Sequence, residues 1–148
     1  MRIGVGADHA GFDMKQHLAQ WLREQGHEIT DLGTNGPQSV DYPVYGRKLA
    51  EAVASGQAER GIAVCGTGIG ISIAVNREPR CRCARVDDPL SAQLAREHND
   101  ANVLALGARL IGSEMAKACV ALFLGTEFAG GRHQPRVDQL SRALQESD

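Results

Sequence analysis

One stretch in the middle of the chain limits the folds available to it. A short apolar run, Gly61 to Cys65, ends in a thiol, and the glycine-rich turn Gly66-Thr67-Gly68-Ile69-Gly70 then leads into an apolar, helix-like segment. A buried strand that turns directly into a helix is typical of parallel α/β sheets. Such a turn also brings backbone N–H groups to the end of the strand, where they can bind an anion and favour a thiolate.

The same alternation of strand and helix continues along the chain. Apolar patterning predicts strands over 2–7, 28–32, 61–65, 82–86 and 103–106. It predicts helices over 12–25, from 44 until Gly56, over 71–76 and 89–97, from Gly112 onward, and a last helix bearing Val137, Leu140 and Leu144. Right-handed crossovers between the strands leave a doubly wound sheet, flavodoxin-like or Rossmann-like, as the best topology.

Two details of this prediction concern side chains. In the helix that follows Gly112, the residues Met115, Cys119, Leu122 and Phe123 are expected to form one buried face. The segment 98–102 is expected to be a polar loop before the fifth strand. Ligands bind at the carboxyl ends of strands in such sheets, so a site is expected where Asp8, Cys65, Asp87 and the loop after Leu106 meet.

Composition narrows the class of protein. With 148 residues, 43% of them hydrophobic, the chain is expected to be one soluble domain over residues 1–148. A net charge of -2 gives no basic footprint, so no nucleic-acid partner is expected. No apolar run approaches the ~18 residues of a membrane span and no signal-peptide pattern is present, so no membrane association and a cytoplasmic location are expected.

The four cysteines are expected to be reduced thiols in that compartment. Cys81 and Cys83 would point to one face of a strand, but no companion pair stands at zinc-site spacing, so no metal site is predicted. Cys119 lies on an apolar helical face, where a small core residue is expected.

Three glycine-rich motifs can be rejected on single residues. A dinucleotide fingerprint needs G-x-G-x-x-G, and neither Gly4-Val5-Gly6 nor the turn after Cys65 keeps that spacing. A Walker A loop needs a lysine, which neither turn contains. A cysteine phosphatase would need an arginine six residues after its thiol, and position 71 is Ile.

Each of the remaining candidate site residues has two interpretations, one functional and one without a functional role. Cys65 is either core filler in a buried strand or a functional thiol beside glycine amides. His9 and His98 stand in predicted loops beyond predicted strand ends, which is consistent with a site or with chance. Arg132 and Arg136, four residues apart, could grip one phosphate or could begin a solvated helix.

Six motifs in order along nearly the whole chain make the sequence resemble a known family. They are Ala7-Asp8-His9-Ala10-Gly11-Phe12, Asp41-Tyr42-Pro43, Cys65-Gly66-Thr67-Gly68-Ile69-Gly70-Ile71-Ser72, Ser91-Ala92-Gln93, the run from Arg96 to Leu104, and Gly130-Gly131-Arg132-His133. This pattern resembles the type B ribose-5-phosphate isomerases, which are grouped with galactose-6-phosphate isomerase subunits. The resemblance implies an α/β fold: a Rossmann-like three-layer α/β/α sandwich with a five-stranded parallel sheet and a C-terminal helix.

The resemblance also implies a reaction. Enzymes of this type interconvert D-ribose 5-phosphate and D-ribulose 5-phosphate through a cis-enediolate, without a metal or cofactor. Cys65 matches the base of the cysteine subtype, and Thr67 matches the residue that moves a proton between the O1 and O2 oxygens. His98 matches the acid/base that opens the sugar ring, with Asp8 assisting at the ring oxygen.

Substrate-binding residues and a partner are implied in the same way. The amides of Gly66, Gly68 and Gly70 would hold the enediolate together with Asn99. The phosphate group would bind to His9, Arg109, Arg132 and Arg136. Tyr42 would also contact the substrate. The family site is built from two chains, so the resemblance implies a homodimer or a tetramer, with the site at the dimer interface.

The match to the family is not uniform. Residues 76–90 match less closely, and the Cys-Gly-Thr-Gly stretch is shared with relatives that act on six-carbon sugars. An isomerase of allose or galactose 6-phosphate therefore stays open, as does a non-catalytic phosphosugar-binding module. Retention of His98, Asn99 and both C-terminal arginines favours the ribose-type enzyme.

Overall fold

A computed structural model describes residues 1–142, in which five parallel strands form one sheet in the order β2-β1-β3-β5-β4. The strands are β1 (Arg2–Ala7), β2 (Glu28–Asp31), β3 (Arg60–Cys65), β4 (Cys83–Arg85) and β5 (Val103–Gly107). The helices are α1 (Phe12–Glu24), α2 (Tyr42–Ala54), α3 (Ile69–Val75), α4 (Pro89–Asn99), α5 (Ser113–Gly125) and α6 (Gln134–Leu140). Two short 3-10 turns, His9–Gly11 and Gly131–His133, precede α1 and α6.

Helices cover both faces of this sheet, which confirms the predicted Rossmann-like α/β/α sandwich. Side chains alternate across each strand, so Ile62 and Val64 of β3 pack under α1, α4 and α5, while Ala63 and Cys65 pack under α2 and α3. The thiol of Cys65 therefore belongs to the α2 and α3 layer.

The register between β3 and β5 determines which residues share an edge of the sheet. Cys65 is paired with Gly107 at the carboxyl end, and Gly61 is paired with Val103 at the amino end. At the amino end, the N–H of Gly61 also donates to the carbonyl of Asn102 at 2.9 Å. The segment that joins α4 to β5 therefore lies at the amino edge, opposite Cys65.

The structure corrects two of the predicted helices. α4 extends to Asn99 instead of Glu97, so His98 and Asn99 belong to its last turn and not to a polar loop. In α5, Met115 is 42% exposed and Leu122 is 38% exposed, so the prediction that both lie on the buried face is wrong. The residues of α5 that are buried are Ala116, Cys119, Val120 and Phe123.

The buried face of α5 differs from the predicted face because the helix is apolar on most sides. Small residues also allow α5 to approach α4 closely. Hydrophobic spacing alone does not select among its faces. The last helix is present as α6, in which Val137 is buried and Leu140 is exposed, while Leu144 lies outside the described residues. Among the helices of residues 1–142, none is long and apolar enough to cross a bilayer.

Candidate active site

The turn after β1 is held against the end of β3. One oxygen of the buried Asp8 side chain accepts hydrogen bonds from the N–H groups of Ala10 at 3.0 Å and Gly11 at 3.1 Å. Gly11 sits so close to β3 that a Cβ atom there would lie 2.5 Å from the carbonyl oxygen of Val64. This packing fixes Asp8 and His9 beside the strand that ends in Cys65.

His9 is oriented by the loop that follows β2. The backbone N–H of Val40 donates to Nδ1 of His9 at 3.1 Å. When the ring is neutral, Nδ1 is therefore the acceptor and the proton sits on Nε2. His9 thus presents an N–H donor from its other ring nitrogen, which suits an anionic ligand.

The glycine-rich turn places a backbone donor on the thiol. The N–H of Gly68 donates to Sγ of Cys65 at 3.1 Å, and Cys65 is only 5% exposed. Gly68 has a positive φ of 77°, and a Cβ atom there would lie 2.9 Å from the carbonyl carbon of Leu106. Glycine is required at this position both by the backbone conformation and by the neighbouring strand.

Three further side chains, one from the turn itself and two from neighbouring segments, lie at the glycine-rich turn. Oγ1 of the exposed Thr67 accepts from the N–H of Ile69 at 3.2 Å, which leaves the hydroxyl hydrogen available to another acceptor. The guanidinium of Arg109 lies over Gly66, where a Cβ atom would be 3.1 Å from Nη1. On the other side, the ring of Tyr42 would be 2.7 Å from a Cβ atom on Gly70.

A second group of predicted site residues forms a separate cluster around a cavity of about 270 Å³. Its lining consists of His98, Asn99, His133, Arg136, Val137 and Leu140. The rings of His98 and His133 are stacked, with centroids 4.5 Å apart and planes 15° apart. Burial, and then repulsion from His98 and Arg132, lowers the pKa of His133 below its usual value.

The two clusters lie at opposite ends of the parallel strands, with Cys65 at the carboxyl ends and His98 at the amino ends. α4 begins beside the carboxyl end of β4 and runs back to the amino edge, where it ends at Asn99. The four steps of β3 from Gly61 to Cys65 alone span about 13 Å. The expectation that His98 stands in a loop beyond a strand end is therefore wrong, and one chain does not bring it to Cys65.

The remaining cysteines behave as core residues. Cys119 is fully buried, as predicted, and burial raises its pKa to about 11. Cys81 and Cys83 pack on the same side of the sheet, as their spacing predicts. Burial raises the pKa of Cys81 to about 11 and raises that of Cys83 as well, so both are protonated thiols at neutral pH. Within residues 1–142, no three His, Cys, Asp or Glu side chains come together as a metal site would require.

Comparison with known protein families gives a match over nearly the whole chain. The model of a family described as Ribose/Galactose Isomerase matches residues 3–140. The chain belongs to this family. It is similar to the ribose-5-phosphate isomerase B of Escherichia coli, with 46% identity over 95% of this chain and 94% of that protein.

Two further proteins are similar to this chain, one in sequence and one in structure. A Pectobacterium atrosepticum protein named D-erythrulose-4-phosphate isomerase is 40% identical over 95% of this chain and 93% of its own. The solved structure of Clostridium thermocellum ribose-5-phosphate isomerase B superposes with a TM-score of 0.94 at 50% identity, covering 95% of both chains. The fold of this chain is therefore that of the solved ribose-5-phosphate isomerase B structure.

Three residues with contacts in these clusters are not among the site residues predicted from the sequence. Val40 orients His9 through a backbone group, which no sequence pattern reveals. His133 reads from the sequence as a neighbour of Arg132, although its place in the Gly130-Gly131-Arg132-His133 motif is a usable signal. Arg85 lies in the segment 76–90, outside the six motifs on which the sequence interpretation rests, and its side chain reaches Thr67.

Proposed function

We propose that this protein interconverts D-ribose 5-phosphate and D-ribulose 5-phosphate, with Cys65 as the base. The proposal is supported by membership in the ribose/galactose isomerase family and by the names of its relatives. The structural observation that carries it is the hydrogen bond from the Gly68 N–H to Sγ of Cys65. A backbone N–H that donates to this sulfur can hydrogen-bond to the negative charge of a thiolate, which is the form that can accept a proton from carbon.

The reaction moves one proton between two neighbouring carbons. In the open-chain aldose, the thiolate of Cys65 removes the proton from C2 and the electrons form a cis-enediol(ate). The proton returns to C1, and the hydroxyl of Thr67 transfers a proton between O1 and O2. Because the Gly68 amide is bound to sulfur, we assign the amides of Gly66 and Gly70 to the developing oxyanion.

Phosphate and ring-opening roles are divided between the two clusters. The Nε2–H of His9 and the guanidinium of Arg109, at the carboxyl edge, are donors suited to a phosphate. Arg132 and Arg136 supply further positive charge from the other cluster. One oxygen of Asp8 caps the turn after β1, so its second oxygen is assigned to the sugar ring with His98.

The positions of these clusters support a site built from two chains. Cys65 and Thr67 lie at one edge of the sheet, while His98 and Asn99 lie at the other. We assign the active unit to at least a homodimer, in which His98, Asn99, Arg132 and Arg136 of a second copy face Cys65. Beside the glycine-rich turn, Ile69 is 50% exposed and Ile73 is 52% exposed, and this apolar surface suits coverage by that copy.

An isomerisation assay with paired cysteine variants tests the function. Cys65→Ala is expected to lower kcat for ribose 5-phosphate at least ~100-fold, because general base catalysis is lost. Cys83→Ala, which alters a thiol outside the turn, serves as the matched control and is expected to stay within about twofold of wild type. Near-wild-type turnover by Cys65→Ala would remove Cys65 from the role of base.

Solvent isotope incorporation separates an isomerase from a binding module. When ribose 5-phosphate is incubated with the protein in deuterium oxide, an isomerase that exchanges the transferred proton places deuterium at the reacting carbons. A non-catalytic phosphosugar-binding module would convert no substrate and exchange no carbon-bound hydrogen. Absence of both conversion and exchange would reject the enzyme and support the binding module.

A substrate panel decides the sugar. The panel contains ribose 5-phosphate, allose 6-phosphate, galactose 6-phosphate and D-erythrulose 4-phosphate, the last chosen because a relative bears that substrate's name. We expect the highest kcat/KM for ribose 5-phosphate. A higher value for a four- or six-carbon substrate would keep the reaction class and reassign the substrate.

A further inference from the structure

The peptide unit between Thr67 and Gly68 is bound at both of its ends. Its N–H, on Gly68, donates to Sγ of Cys65 at 3.1 Å. Its carbonyl oxygen, on Thr67, accepts a hydrogen bond from Nε of Arg85 at 2.9 Å. The N–H and C=O of a planar peptide point in opposite directions, so fixing the carbonyl also fixes the direction of the N–H.

Arg85 is itself held in place from two sides. It is the last residue of β4 and is paired with Ala105 of β5, so its backbone belongs to the sheet. Its Nη1 atom forms an ion pair with Asp87 at 2.6 Å, and its side chain is only 25% exposed. The orientation of the guanidinium is therefore fixed by contacts other than its hydrogen bond to the Thr67 carbonyl.

Gly107 packs against the same carbonyl group. A Cβ atom on Gly107 would lie 2.6 Å from the oxygen of Thr67, so the carbonyl rests directly on the end of β5. The Thr67 carbonyl therefore lies against Gly107 as well as Arg85. A charged donor on the carbonyl also polarises the peptide and strengthens the N–H as a donor.

We propose that Arg85 is a positioning residue for Cys65, which clamps the Thr67 carbonyl so that the Gly68 N–H stays hydrogen-bonded to the sulfur and stabilises negative charge there. Arg85 acts through the peptide and does not touch the substrate. The reactive role of the thiolate rests on the proposed function, whereas the clamp itself is a property of the unliganded protein.

The test measures the reactivity of Cys65 without any sugar. Alkylation by iodoacetamide is followed from pH 6 to 10 in wild type, Arg85→Met and Asp87→Asn, with the label on Cys65 quantified by peptide mass spectrometry. Other titratable or charged groups at this edge include Asp8, His9, Tyr42, Asp88 and Arg109, and all are unchanged in these variants. Arg80→Met, which removes an exposed arginine paired with Glu78, is the matched control.

Both test variants are expected to slow alkylation of Cys65 at pH 7 by about two- to tenfold, the range in which one hydrogen bond changes an equilibrium constant. The pH midpoint of alkylation should rise in both, while Arg80→Met should match wild type. Asp87→Asn distinguishes a clamp from simple charge, because removing a nearby negative charge would by itself favour the thiolate and accelerate alkylation.

Acceleration by Asp87→Asn would overturn the clamp, and so would unchanged alkylation in Arg85→Met. If Arg85→Met does not fold, Asp87→Asn keeps the proposal testable, since it changes no side-chain volume. A protein that shows the alkylation effects but isomerises none of the sugar phosphates would refute the proposed function and leave the clamp intact. Normal isomerase activity without the alkylation effects would refute the clamp alone.

Discussion

The imidazole ring of His98 stacks on that of His133, with their centroids 4.5 Å apart. Two protonated rings in this arrangement would repel each other, and burial already lowers the pKa of His133. Burial and the stacked ring therefore both favour the neutral form of His133. This arrangement suits the proposed role of His98, which must both donate and accept a proton during ring opening.

The stack predicts how stability depends on pH. Because the folded-state pKa of His133 lies below its ordinary value of 6.5, the unfolded chain binds more protons below about pH 6.5. The free energy of unfolding should therefore fall as the pH drops through that value. We expect His133→Asn to show a smaller loss of Tm between pH 7.5 and 5.5 than wild type does.

The control for this prediction is His17→Asn, which alters an exposed histidine of α1. It should keep the wild-type change in Tm between the two pH values. Thermal unfolding followed by circular dichroism is sufficient for the measurement. If His133→Asn loses as much Tm as wild type on acidification, the lowered pKa of His133 is not what couples stability to pH.

Arg136 is predicted to act through the phosphate group. Arg136→Ala should raise KM for ribose 5-phosphate about 10- to 100-fold with little change in kcat, because a charge-assisted contact is worth roughly 1.5–3 kcal/mol. Arg23→Ala, on the exposed surface of α1, is the control and should leave KM unchanged. Unphosphorylated ribose gives a second check, since wild type and Arg136→Ala should convert it equally slowly. An unchanged KM for ribose 5-phosphate would place Arg136 outside the site.

A pair of glycine substitutions separates backbone strain from steric clash. Gly68 and Gly26 both have positive φ values, 77° and 92°, but only at Gly68 would an added Cβ atom meet other atoms within 4 Å. Gly26→Ala should cost about 1–2 kcal/mol of unfolding free energy for the left-handed backbone alone. Gly68→Ala should cost about 1–3 kcal/mol more, because the new methyl group meets the backbone of Leu106.

Chemical denaturation measures both costs, and the isomerase assay adds a second comparison. Gly26→Ala should retain activity, whereas Gly68→Ala should lose most of it because the donor to Cys65 is displaced. Equal destabilisation of the two variants would contradict the close approach of Gly68 to β5.

The strands and the glycine-rich turn are predictable because their signals are local. An apolar run such as Gly61 to Cys65 can be buried in a parallel sheet, and its ending in a glycine-rich turn marks the edge where a site forms. The predicted buried face of the fifth helix is wrong because apolar residues surround that helix. Packing against α4, α1 and β5 distinguishes the buried Ala116 from the exposed Met115.

The relation between the two clusters is beyond local signals. The sequence pattern ends α4 at Glu97 and so predicts His98 in a loop, whereas the true position of His98 depends on how far that helix extends. The contact of Arg85 with Thr67 joins residues 18 positions apart through the pairing of β4 with β5. Such contacts depend on sheet order, which the sequence pattern alone does not determine.

The two-chain site is tested most directly by complementation. Chains carrying Cys65→Ala and His98→Ala are co-expressed with different affinity tags, and the complex that contains both chains is purified. If each site takes Cys65 from one chain and His98 from the other, one of the two sites in a mixed dimer is intact. The mixed dimer should then show about half of wild-type isomerase activity while each variant alone is nearly inactive. A mixed dimer as inactive as the single variants would contradict a site shared between two chains.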